Sequence, residues 1–156
     1  MNPFDYLGLT VRDEITGLTG ICNSIMEYHT GTIQCCVQPK GDGEKIPEAY
    51  YIDPDTLVLV TDGPTVNVVE PLITDNFIGK KIKDRITGSE GIATHRMTYI
   101  NGCIRYSIKY LSKKDNEPSI LTVEALDAIL VDDGVRPKEE AKPTRTGGPA
   151  MKANRY

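Results

Sequence analysis

Apolar and polar positions alternate with a period of two along two stretches of the chain, the pattern of half-buried strands and not of helices. The clearer stretch places Ala93, His95, Met97, Tyr99, Ile104, Tyr106 and Ile108 on one side, and Thr94, Arg96, Thr98, Arg105, Ser107 and Lys109 on the other. Asn101-Gly102 lies between its halves. A two-residue turn there predicts an antiparallel hairpin in which Tyr99 faces Ile104, Met97 faces Tyr106 and His95 faces Ile108. Thr30-Gly31 holds the same place in the other stretch. It predicts an inner face of Cys22, Ser24, Met26, Tyr28, Ile33, Cys35 and Val37, with Cys35 opposite Met26 and Cys22 opposite Pro39.

The two stretches are copies of one unit. Residues 7–63 align without gaps on 78–134 at a shift of 71, with 16 identities over 57 positions, where chance gives about three. The identities include Gly8/Gly79, Asp13/Asp84, Ile15/Ile86, Thr16/Thr87, Gly17/Gly88, Gly20/Gly91, Tyr28/Tyr99 and Gly31/Gly102. Each copy predicts a short strand (Thr10–Ile15, Lys81–Ile86) and a tight turn at Thr16-Gly17 or Thr87-Gly88. A second glycine, Gly20 or Gly91, restarts the chain into the hairpin. A polar loop then leads to a last strand ending at Leu57–Val60 or Ala128–Val131, with single helical turns around Asp53–Leu57 and Val123–Ala128. Four or five short strands in so few residues fit a small SH3-like barrel. The expected architecture is all-β: two tandem SH3-like β-barrels in 1–63 and 78–134, a linker in 64–77, and an irregular basic C-terminal arm in 135–156.

Both copies carry G-x-x-[VI]-[RK]-D-x-I-T-G-x-x-G-I, followed by an aromatic residue and a tight glycine turn. This pattern resembles KOW/Tudor-type SH3-like barrels. More closely, it is similar to small structural proteins of tailed bacteriophages that carry one or two such modules. The resemblance covers both modules and not the arm. It implies a non-enzymatic structural component of the virion, in head decoration, head–tail connection, tail or baseplate, made in the host cytoplasm. Its implied partners are other virion proteins in a multi-copy symmetric assembly. The same fold class implies an alternative, a nucleic-acid-binding module acting through the basic face of the second copy.

Composition and charge sharpen this picture. The chain of 156 residues carries a formal charge of −4, which counts against nucleic acid as the main partner. That average hides a partition: −6 in 7–63, +1 in 78–134 and +4 in 135–156. Opposite charges on separate parts of one chain suit head-to-tail contacts in an assembly. No stretch approaches the roughly 18 apolar residues that span a bilayer. The N-terminus lacks the basic-then-apolar layout of a signal peptide, so no membrane partner is expected.

Candidate chemistry is sparse. The four cysteines include no C-x-x-C pair and predict no metal site. Cys22 and Cys35 fall inside the first module, whereas Cys36 and Cys103 fall on the outward face as solvent or interface thiols. His29 sits at a hairpin turn and His95 reads as a core-edge histidine. Asp13 and Asp84 recur at the same place in both copies, which predicts a structural task, accepting backbone N–H groups in the turn that follows. No catalytic residue and no cofactor is expected. The candidate interface comprises Arg96, Arg105, Lys109, Cys36 and Cys103, with Arg136, Arg145 and Arg155 of the arm.

Overall fold

The computed structural model describes residues Met1–Val135, and the candidate arm residues Arg136, Arg145 and Arg155 lie outside the described residues. The fold is all-β, and the longest helical segment among those residues is the 3-10 turn Pro3–Tyr6. The first repeat forms β1 (Thr10–Asp13), β2 (Thr19–Tyr28), β3 (Ile33–Gln38), β4 (Tyr50–Ile52) and β5 (Leu57–Leu59). The second forms β6 (Lys81–Asp84), β7 (Glu90–Tyr99), β8 (Ile104–Leu111), β9 (Pro118–Glu124) and β10 (Ala128–Asp132). Single 3-10 turns, Pro54–Thr56 and Ala125–Asp127, stand between the last two strands of each repeat.

The chain divides into two compact units whose boundaries differ from those of the repeats at the hairpin tips. Among the described residues, unit 1 holds Met1–Glu27, Ile33–Asp75 and Met97–Arg105; unit 2 holds Tyr28–Thr32, Asn76–Arg96 and 106–135. Each unit therefore contains the tip of the other repeat's hairpin.

In unit 1 the strand order is β5-β1-β2-β3-β4, every neighbour antiparallel. The outer strands β4 and β5 do not pair with each other, so the sheet is open and not the closed barrel that strand count predicts. Its core gathers Tyr6, Leu7, Val11, Cys22, Ile25, Cys35, Val37 and Leu57. Burying a side chain such as Ile25 stabilises the fold by about 1.5–3 kcal/mol. The turn Pro3–Tyr6 closes one end of this core: Asn2 Oδ1 accepts from Phe4 N–H at 3.0 Å, and the Tyr6 hydroxyl donates to Leu57 O at 3.2 Å.

Two features overturn the hairpin register expected from alternation. First, the turn has three residues. Gly31 N–H donates to Tyr28 O and Tyr28 N–H to Thr32 O, at 2.9 and 2.8 Å. Only the glycine, at φ +95, has a positive φ. A two-residue turn needs positive φ at both central residues, which β-branched Thr30 resists. The second hairpin repeats this geometry, with Gly102 at φ +84 and Asn101 not in the left-handed region.

Second, β2 has a bulge between Cys22 and Ser24. The extra residue, Asn23, reverses which side chains face the core beyond it. Cys22 and Ile25 supply β2's part of this core cluster, which Ile25 joins unexpectedly; Ser24 and Met26 are buried as expected, but outside that cluster. Cys35 lies opposite Ile25 and Cys22 opposite Val37, not opposite Met26 and Pro39.

In unit 2 the order β10-β6-β7-β8-β9 reproduces that of unit 1, again with unpaired outer strands. Ile82, Ala93, Tyr106, Ile108, Val123 and Ala125 are buried. Phe77, the counterpart of Tyr6 by the 71-residue shift, lies with its ring centroid 6.0 Å from that of Tyr106, and its N–H donates to the Tyr106 hydroxyl at 3.1 Å.

Candidate interaction surface

The D-x-I-T-G turn is built on one plan in both units. Asp13 Oδ1 accepts from Ile15 N–H at 3.3 Å, while Oδ2 accepts from Thr16 N–H and the Thr16 hydroxyl at 3.2 and 2.6 Å. Gly17 N–H closes the turn onto Asp13 O at 2.8 Å. In unit 2, Asp84 accepts from Ile86 N–H at 3.1 Å and from the Thr87 hydroxyl at 2.8 Å, and Gly88 N–H donates to Asp84 O at 2.7 Å. The threonine hydroxyls, and then the remaining hydrogen bonds, hold both carboxyls below the usual aspartate range. Gly17 and Gly88 take φ +79 and +78. Gly20 and Gly91 serve differently, letting a neighbouring strand approach: a Cβ there would meet Gln38 O at 2.4 Å and Lys109 O at 2.7 Å. What each turn presents outward is one isoleucine, Ile15 at 78% and Ile86 at 70% exposure.

The candidate interface residues do not form one cluster. Arg105, Lys109 and Cys103 are exposed. Arg105 belongs to unit 1, where its guanidinium lies 5.3 Å from the Tyr99 ring centroid; Lys109 belongs to unit 2. Arg96 is only partly exposed and its side chain is engaged, so it is not an open cationic contact. Cys36 corrects the expectation outright: it is 5% exposed. In the three-residue-turn register it pairs with Ser24 on one side and Tyr51 on the other, between two flanking strands. Burial pushes its thiol pKa up. Cys22 is held protonated by its hydrogen bond to Cys35 and by the same desolvation. All four thiols are free.

The basic face of the second repeat is partly neutralised within unit 2. Lys81 Nζ stands 3.7 Å from Glu90 Oε2, and Arg85 Nε donates to Asp127 Oδ1 at 2.8 Å.

The hairpin tips carry contacts that alternation did not reveal. In unit 2, His29 N–H donates to Thr94 O at 2.8 Å, and its Nδ1 lies 3.2 Å from the same oxygen. His95 Nδ1 is 3.1 Å from the Thr94 hydroxyl, which itself donates to Ser107 O at 3.2 Å. His95 also faces the Tyr28 ring at 5.0 Å between centroids. Burial, and then the nearby His29, lower the His95 pKa below its ordinary 6.5. In unit 1, Ile100 N–H donates to Asn23 O at 3.0 Å. The usable sequence signal was the divergence of His29 from Ile100, set between the retained Tyr28/Tyr99 and Gly31/Gly102.

Fold and surface together define a class: an all-β protein made of a duplicated five-stranded unit with exchanged hairpin tips. In comparisons with known proteins, no family model matches the chain, and no curated protein and no solved structure matches it.

Proposed function

We propose that the chain is a non-enzymatic structural component of a tailed-phage particle, built from two SH3-like modules that bridge neighbouring virion proteins. The SH3-like reading is supported by five antiparallel strands per unit, in one shared order, with a 3-10 turn between the last two. The phage reading is supported by the resemblance of the duplicated D-x-I-T-G module. The observation that carries the assembly role is the charge partition, −6 in 7–63 against +4 in 135–156. Identical chains carrying both signs on separate parts attract one another and oppositely charged neighbours head to tail. Rigid turns that project Ile15 and Ile86 add an apolar contact at matching places in the two repeats.

The test is mass spectrometry of purified particles from a phage encoding this chain, with and without residues 135–156. The full chain should appear at a ring-like stoichiometry and the truncated chain at a clearly reduced one. Undiminished incorporation would remove the arm from the account, and absence of the full chain would remove the virion role.

A second reading, nucleic-acid binding, is favoured by the exposed Arg105, Lys109, Lys113 and Lys114. It predicts salt-sensitive retention of DNA or RNA in a filter-binding assay. Neutralising Lys109, Lys113 and Lys114 should abolish that retention under this reading and change nothing under the first.

A further inference from the structure

Each compact unit is completed by a hairpin tip that belongs, by sequence, to the other repeat. In unit 1 the seat for 97–105 is built from Asn23 and the segment after β5. Ile100 N–H donates to Asn23 O at 3.0 Å, and Ile100 O accepts from Val69 N–H at 2.8 Å. The Ile100 side chain packs against the unit 1 core. Gly102 lies so close that a Cβ there would stand 3.2 Å from Val69 Cγ1 and from Glu70 O. In unit 2 the seat for 28–32 is Thr94 O, which receives His29 N–H at 2.8 Å, beside His95, which packs on Tyr28.

The two seats are images of each other under the repeat. Asn23 and Thr94, and likewise His29 and Ile100, are separated by the same shift of 71. The bulge between Cys22 and Ser24 interrupts the β2–β3 register at Asn23, and β7, the strand that leads into 97–105, is a hydrogen-bonded neighbour of β2.

We infer that the tips also exchange in trans: 97–105 of one copy fills unit 1 of a second copy, and 28–32 fills its unit 2, giving a domain-swapped assembly of this chain. The partner is a second copy because the seat's hydrogen bonds and apolar contact are made to this chain's own tip, whichever molecule delivers it. The contacts are the same in cis and in trans. The balance is therefore set by concentration and by the reach of the connecting segment. Within that segment Pro71–Thr74 make no described backbone hydrogen bond, and Leu72 is 92% exposed, so this stretch acts as a spacer. The inference rests on the assembly reading only for its biological setting, since it concerns the purified chain.

Two experiments test it on the full chain. Deleting Pro71–Thr74 shortens the spacer and should convert a single-chain species into one of at least twice the mass, by size exclusion with light scattering. The Ile100 and His29 amides should stay protected from hydrogen exchange. Adding Gly102→Val should abolish the larger species by unseating the tip. Separately, tagged and untagged wild-type chains refolded together at high concentration should co-purify, whereas the same chains mixed after folding should not.

A deletion variant that is folded, single-chain and still protected at Ile100 overturns the inference. So does the absence of mixed species after wild-type co-refolding, which decides the matter even if the shortened chain fails to fold. A chain that swaps but is missing from purified particles would defeat the virion reading alone. A chain found in particles that never swaps would defeat this inference alone.

Discussion

Glycines and cysteines in this chain take their meaning from what stands beside them. Gly17 and Gly20 are three residues apart and both recur in the second repeat, yet they do different work. Gly17 needs only its positive φ, since a methyl group added there would meet no atom within 4 Å, whereas Gly20 lies under the Gln38 carbonyl. Gly17→Ala should therefore cost about 1 kcal/mol, the penalty of a left-handed backbone for a residue with a Cβ. Gly20→Ala should cost about 3 kcal/mol or more, because backbone must move. Urea midpoints of the two variants check this ordering, and equal losses would contradict it. Thiol exposure gives a second check. A water-soluble disulfide reagent should modify one cysteine rapidly in the folded protein, and all four after unfolding, since only Cys103 is exposed. Cys103→Ser should remove the rapid phase; a rapid phase that survives would mean that Cys36 is open after all.

At the scale of elements, the hairpins show how a one-residue difference propagates. Alternation correctly marks 22–37 and 93–108 as paired strands, because the period of side-chain burial is written in residue types. It misplaces the register, because a three-residue turn and a bulge each shift the pairing by one and neither has a strong local signature. Ile25 and Cys36 are the residues most affected: one enters the core, the other loses its expected exposure. The tip of the first hairpin also brings His29 close to His95 in unit 2. His95 is lowered by burial first and by His29 second. A group with a depressed folded pKa contributes stability above its unfolded value, near 6.5, and that contribution is lost as pH falls through the folded value. Acid should thus loosen the seat of 28–32 on unit 2. Imidazole titration by NMR should place His95 below 6.5, and His29→Gln should raise it part of the way, since burial remains. A His95 that titrates at or above 6.5 would contradict this account.

For the whole molecule, the sequence by itself determined the all-β class, the duplication, the aspartate turns and the charge partition. Each of these is carried by local spacing or by composition. The D-x-I-T-G turn is legible because a carboxylate, a hydroxyl and a glycine within five residues satisfy one another without distant help. The short 3-10 turns Pro54–Thr56 and Ala125–Asp127 fall within the single helical turns expected around Asp53–Leu57 and Val123–Ala128. Tertiary structure alone decided that the sheets stay open, that Cys36 is covered, and that each unit is finished by the other repeat's hairpin tip. Those outcomes depend on where a bulge shifts the register and on which strands become hydrogen-bonded neighbours. That is a relation between residues far apart in the chain, such as Asn23 with Ile100, and no local pattern of apolar and polar residues records it.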